Sequence, residues 1–184
     1  MILYGSYTSP YARHCRIALT DCSLDWQFVD TDYAGSAIGS PSQRVPYLED
    51  DGLKLTDSSS ILLHIRNMQD RPFIADVSQM ELFTMTNTAM DAAINLFLLE
   101  RDGLSPDNYP YLARQKSRIE SLLTAMRNTK FAKANFNDSE IRLACFLDWA
   151  QFRKRIDLSA YPELQNFLDL VNTWDTFLET SPAT

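Results

Sequence analysis

A chain of 184 residues, 45% hydrophobic and 22% charged, is long enough to bury a real core, either as one large domain or as two small ones sharing an interface. Its formal net charge of −7 at pH 7 argues against a general nucleic-acid binder, which needs a dense Lys/Arg face to neutralise phosphates, so any anionic ligand must be held locally. No apolar run approaches membrane-spanning length, and the opening MILYGS meets polar residues too soon for a secretory leader; a soluble cytoplasmic protein without membrane or nucleic-acid partners is expected.

In chain order, residues 1–4 read as a brief strand, 10–20 as a helix entered through Pro10, and 26–30 as a second strand. The Gly- and Ser-rich stretch 32–41 reads as loop or a short irregular helix. Residues 45–49 and 53–56 read as a hairpin around Asp50, Asp51 and Gly52, followed by a helix over 58–67. The order is βαβ, an uncertain segment, then ββα. The stretch NMQDRPF, with Pro72, has the character of a linker, and beyond it helices are expected over 77–104, 109–127, 139–156 and 162–178. The polar break before 139 ends in NDSE, where Asn137 and Glu140 have capping-box spacing. Three cysteines, Cys15, Cys22 and Cys145, cannot all pair, and the first two fall roughly 10 Å apart along one helix, so reduced thiols are expected. No His, Cys or carboxylate cluster has metal-ligand spacing.

Two places carry chemistry on physical grounds. Ser9 precedes Pro10, and proline at a first helical position puts Ser9 at the N-cap. A helix start offers free N–H groups and a partial positive charge, so a thiolate placed there is stabilised, and a hydroxyl donating to it favours its ionisation further. Simple capping is the competing reading, and Thr8 offers an adjacent hydroxyl as an alternative donor. The second place is Val45-Pro46, where a proline either begins a strand or frees its neighbour's backbone for a ligand. Arg13 and Arg16, at i and i+3, read as a salt-bridging surface, and His14 as a residue of a half-exposed helix.

In this order and spacing, three stretches resemble the cytosolic glutathione S-transferases of bacterial type over nearly the whole chain. SPYARHCRIAL is similar to the family's Ser-Pro-Phe or Cys-Pro-Phe start of the first helix. SPSQRVPYLED is similar to N-P-x-x-K-V-P-x-L-x-D with Ser40 for Asn and Arg44 for Lys, and LTDSSSILLHI to L-x-E-S-x-A-I-x-x-Y-L with Asp57 for Glu. NDSEIRLACFLDW and YPELQNFLDLVNTWDTFLETSP resemble the family's buried capping element and closing helix.

The resemblance implies an α/β thioredoxin-like N-terminal domain (βαβ-α-ββα, mixed four-stranded sheet) over 1–70, a linker over 71–76 and an all-α C-terminal domain over 77–184. It implies a detoxifying transferase that activates the thiol of glutathione for attack on a hydrophobic electrophile, by conjugation or peroxide reduction, with glutathione as co-substrate and no bound cofactor. The thiolate would face Ser9. Arg44 would meet the glycine carboxylate and Val45, turned outward by a cis bond to Pro46, would pair with the peptide. Asp57 would take the γ-glutamyl ammonium and Ser58 its carboxylate. Tyr7, Tyr11, Tyr109 and Tyr111 are candidates to border the electrophile pocket. With Ser9 where a redox protein carries the first Cys of Cys-x-x-Cys, dithiol chemistry is excluded there. A homodimer is implied, with Phe73, Met80 and Phe83 as apolar candidates for its face. The alternatives are a transferase-fold interaction module without turnover and a zeta-like isomerase, which would call for a Ser-Ser-Cys-type start.

Overall fold

A computed structural model describes residues 1–182. The described chain falls into two compact units, Met1–Ala75 together with the stretch from Asn172 onward, and Asp76–Val171.

The first unit holds β1 (Ile2–Gly5), α1 (Pro10–Asp21), β2 (Gln27–Asp30), α2 (Tyr33–Gly39), β3 (Tyr47–Asp50), β4 (Leu53–Leu55) and α3 (Ser58–Asn67). It is a thioredoxin-like domain with a mixed four-stranded sheet in the order β2-β1-β3-β4. β1 runs parallel to β2 and antiparallel to β3, which pairs antiparallel with β4. Leu3 and Leu48 face each other in the β1/β3 register and are fully buried. Ile17 and Leu19 of α1 and Ile61, Leu62 and Ile65 of α3 are equally buried. Each such side chain contributes about 1.5–3 kcal/mol relative to exposure. The uncertain stretch 32–41 is helical: Asp32 caps it, its carboxylate accepting from Gly35 N–H at 2.8 Å, and Gly39 lets it settle against Tyr47, where a Cβ would fall on the tyrosine hydroxyl.

The second unit holds α4 (Val77–Arg101), α5 (Pro110–Met126), α6 (Asp138–Phe152), a 3₁₀ turn (Leu158–Ala160) and α7 (Pro162–Val171). α4 ends three residues before the expected 104, because Gly103 takes φ +84° and lets Leu104 N–H turn back to Leu99 C=O at 2.9 Å. Contrary to the expectation that no apolar run approaches that length, α4 is long and apolar enough to cross a membrane by length and composition. Its residues Leu82, Ala89, Met90, Ala93 and Leu96 are buried, and it packs along α5 and α6. α6 is buried at nearly every position, as expected of a central helix, and its start carries the expected capping box. Glu140 accepts from Asn137 N–H at 2.9 Å and from Ala132 N–H at 2.7 Å, while Asn137 Oδ1 accepts from the Ser139 and Glu140 amides.

The closing helix expected over 162–178 is two helices, α7 and α8 (Asp175–Glu179), with Asn172 and Thr173, poor helix formers, between them. The sequence assigns 77–184 to the helical domain; in the structure the stretch from Asn172, with α8, groups with the first unit and packs on α1.

Three further expectations are corrected. Arg13 is 2% exposed and His14 fully buried, so neither lies on a solvated face. Phe83, expected on a dimer face, is buried beneath the Arg142 guanidinium, 4.8 Å from its ring centroid; Met80 is exposed.

Candidate functional site

The candidate residues of the first unit share one end of it, and the topology explains why. β1 leads through Gly5 into the turn Ser6–Ser9 and α1. The register Tyr4↔Tyr47 puts the entry to β3, and so Val45 and Pro46, beside that turn. Leu48↔Leu55 brings β4 back toward the same end, where Thr56 and Asp57 lead into α3. α1 and α3 run in the same direction. Cys15 Sγ lies 3.9 Å from the carbonyl of Ser58, while Asp21 at the end of α1 accepts from buried Arg66 near the end of α3 at 2.7 Å. Both helix starts, with the positive ends of their dipoles, therefore point to this end.

Ser9 is the N-cap of α1, extended at φ −81° and ψ 121°, with Pro10 next. Its Oγ accepts from Ala12 N–H at 3.2 Å, its N–H donates to Ser6 C=O at 3.0 Å, and its C=O accepts from Arg13 N–H at 2.9 Å. Capping uses one lone pair of the hydroxyl and leaves its proton to be donated, so cap and thiolate donor are compatible roles rather than rivals. Thr8 and Ser6 share a hydrogen bond between hydroxyls at 3.2 Å, and Ser6 Oγ also accepts from Thr8 N–H at 3.3 Å. The Thr8 hydroxyl is thus engaged in the turn. Ser6, which the sequence reading passed over, organises it; a serine bonding the amide two residues on is the signal that was there to find.

Val45-Pro46 is cis, and Val45 lies outside the β1/β3 ladder, which ends at Tyr47. Arg44 is exposed, Val45 half-buried and Pro46 buried. Ser42 Oγ donates to Thr56 C=O at 3.3 Å, joining this loop to the approach to α3. Asp57 caps α3, one carboxylate oxygen accepting from Ser59 N–H at 2.7 Å, and its side chain is otherwise exposed. Ser58, at the first position of α3, is 5% exposed. A carboxylate at the rim and a serine on a helix start suit a ligand carrying an ammonium and a carboxylate together.

Tyr7 is exposed, packed on Phe28 at 4.7 Å between centroids, with the Arg16 guanidinium 5.0 Å from its ring. Tyr11 is half-buried in the first turn of α1. Tyr109 and Tyr111 belong to the second unit, exposed at the start of α5. Among the described residues, no group of three or more His, Cys, Asp or Glu could hold a metal ion.

This is a thioredoxin-like domain with a cis-proline loop and two helix starts at one end, followed by a helical region. Residues 3–73 match the family model described as glutathione S-transferase, N-terminal domain. Comparison of the sequence with curated proteins gives no match. Among solved structures, the chain is similar to a glutathione S-transferase from Methylobacterium radiotolerans JCM 2831 in complex with glutathione sulfonate (TM-score 0.85, 21% identity, 98% of this chain and 94% of that one). It is similar to a glutathione S-transferase from Methylobacillus flagellatus KT with glutathione bound (TM-score 0.82, 21% identity, 98% of each chain). A maleyl pyruvate isomerase, a bacterial glutathione S-transferase of the zeta class, has TM-score 0.76 and 18% identity over 100% of this chain and 97% of that one. The fold of this chain is that of the glutathione S-transferases.

Proposed function

We propose that the protein is a glutathione transferase with a serine at the activating position, working as a cytoplasmic homodimer. The observation that carries this reading is the start of α1, where Ser9 caps through one lone pair and keeps its proton for a thiolate, within a stretch that matches the transferase N-terminal domain. Glutathione lies along the shared end of the first unit. Asp57 holds its ammonium, Ser58 and the start of α3 its γ-glutamyl carboxylate, Val45 its peptide backbone and Arg44 its glycine carboxylate. The thiol faces Ser9 and loses its proton to solvent. The helix start and the donated hydrogen bond stabilise the resulting thiolate, lowering the thiol pKa. The sulfur lone pair then forms a C–S bond with a hydrophobic electrophile, and in a displacement the leaving group departs with the bonding pair.

A glutathione-dependent isomerase is the second reading, favoured by likeness to the zeta-class structure, although the start here is Thr8-Ser9-Pro10. The test is retention on immobilised glutathione followed by turnover of aryl halide, peroxide and maleyl substrates. Retention with conjugation is expected; turnover of the maleyl substrate alone selects the isomerase, and retention without turnover selects an interaction module.

A further inference from the structure

Arg13 closes the first turn of α1, its N–H bonded to the Ser9 carbonyl at 2.9 Å, yet its side chain runs 164 residues along the chain to find its partners. The guanidinium is 2% exposed and stacks 3.7 Å from the centroid of the Phe177 ring. Nη2 donates to the Phe177 carbonyl at 2.7 Å and Nε to Thr180 Oγ1 at 3.3 Å. Both acceptors sit at the end of α8: Thr180 is its C-cap, and its hydroxyl also donates to the Phe177 carbonyl at 3.0 Å, so the two acceptors form one unit. One turn on, Arg16 Nη1 donates to the Thr180 carbonyl at 3.5 Å while its guanidinium lies over the rings of Tyr7 and Phe28. The residues flanking Ser9 on both sides, Tyr7 and Arg13, are thus tied to the same turn near the end of the chain. A planar fork that stacks on a ring and bonds a carbonyl and a hydroxyl together is a geometry lysine cannot reproduce.

We infer that the C-terminal segment, clamped by Arg13, holds the first turn of α1 so that the Ser9 hydroxyl meets the thiol, which makes Arg13 and Thr180 positioning residues. This rests on Ser9 facing the thiol of glutathione as proposed above. Hydrogen bonds weaken steeply as distance and angle drift, so a first turn that relaxes by a few tenths of an ångström keeps glutathione but ionises it less. The sequence holds two arginines at i and i+3; only the fold shows that both reach the chain's other end.

The experiment titrates the ultraviolet absorbance of the thiolate in glutathione complexes of the full-length parent, Thr180→Val, Arg13→Lys and Ser9→Ala, and of Ser9→Ala combined with Thr180→Val. Thr180→Val keeps the shape of the side chain and removes only the hydroxyl, so it reports even if Arg13→Lys does not fold. Expected are an unchanged KM for glutathione and a bound-thiol pKa raised by about half a unit to one unit in each clamp variant, with a roughly three- to tenfold slower conjugation at neutral pH. In the Ser9→Ala background, Thr180→Val should add nothing, because its effect acts through that serine. A folded Thr180→Val with the parent thiol pKa, or an effect that adds fully to Ser9→Ala, overturns the clamp while leaving the function in place. A Ser9→Ala protein with the parent thiol pKa overturns the functional reading itself.

Discussion

Replacing Ser9 separates its structural task from its chemical one, provided two substitutions are compared. Ser9→Ala removes the acceptor for Ala12 N–H. Loss of an N-cap costs about 0.5–2 kcal/mol, and a bond as long as 3.2 Å belongs in the lower half of that range. For a chain of this length, ~1 kcal/mol lowers the melting temperature by roughly 2–4 °C. Ser9→Gly costs only a few tenths of a kcal/mol as a cap but lacks the hydroxyl just as completely. A neutral hydroxyl donating to a thiolate is a charge-assisted bond, worth about 1.5–3 kcal/mol, which raises the bound-thiol pKa by about one to two units when it is lost. The expected pattern is therefore a visible melting shift in Ser9→Ala only and a raised thiol pKa in both, measured by thermal denaturation and by thiolate absorbance of the glutathione complex. Thr8→Ala should leave the thiol pKa unchanged, since the Thr8 hydroxyl is turned to Ser6. A parent-like thiol pKa in both Ser9 variants would refute the reasoning and leave the serine a cap.

Ser58→Ala should weaken glutathione binding by ~1–3 kcal/mol, seen as a higher KM with little change in melting temperature; unchanged affinity would move the γ-glutamyl carboxylate elsewhere. Gly39→Ala puts a Cβ on the Tyr47 hydroxyl and the ring carbon that bears it, so α2 must shift; a loss of ~1–3 kcal/mol in a denaturant melt is expected, larger in the Tyr47 parent than in a Tyr47→Leu background, where that end of the ring is gone. The pH dependence of stability carries a signature of the outer sheet. The hydrogen bond from Lys54 pulls the Glu49 carboxyl below its ordinary 4.5, so its contribution is present above that value and fades as pH falls through the lower folded one; Lys54, raised above 10.5 by the same pair, loses its contribution as pH rises through its folded value. Both groups are exposed, so the effect is small, and melts of Glu49→Gln between neutral and acid pH should show a flatter acid slope than the parent.

What was legible in the sequence and what was not divides along a physical line. Strands and helices with strong local signals stood out. Pro10 behind Ser9, the Asp50-Asp51-Gly52 turn and the Asn137/Glu140 box each specify their geometry within a few residues, and each is found where expected. Helix α2 was ambiguous because its two glycines weaken any local preference. It forms through the Asp32 cap and the fit of Gly39 against Tyr47, a contact made by a residue eight positions on in another element. The burial of Arg13 was illegible for the same reason at greater range. A cation at a helical position reads as solvated unless its partners are known, and these lie at Phe177 and Thr180, near the other end of the chain. Phe83 departs in the opposite sense: an apolar residue expected on a dimer face is buried, because Arg142, 59 positions on, covers its ring. The local geometry of the candidate site residues was legible because they sit at helix starts and a cis-proline loop, which are local features. Ser6, which bonds the Thr8 amide two residues on, left a local signal as well; Arg13, behind the turn, reaches partners that only the fold brings near. A cap can be read from four residues; what keeps that cap aimed depends on a contact between the two ends of the chain.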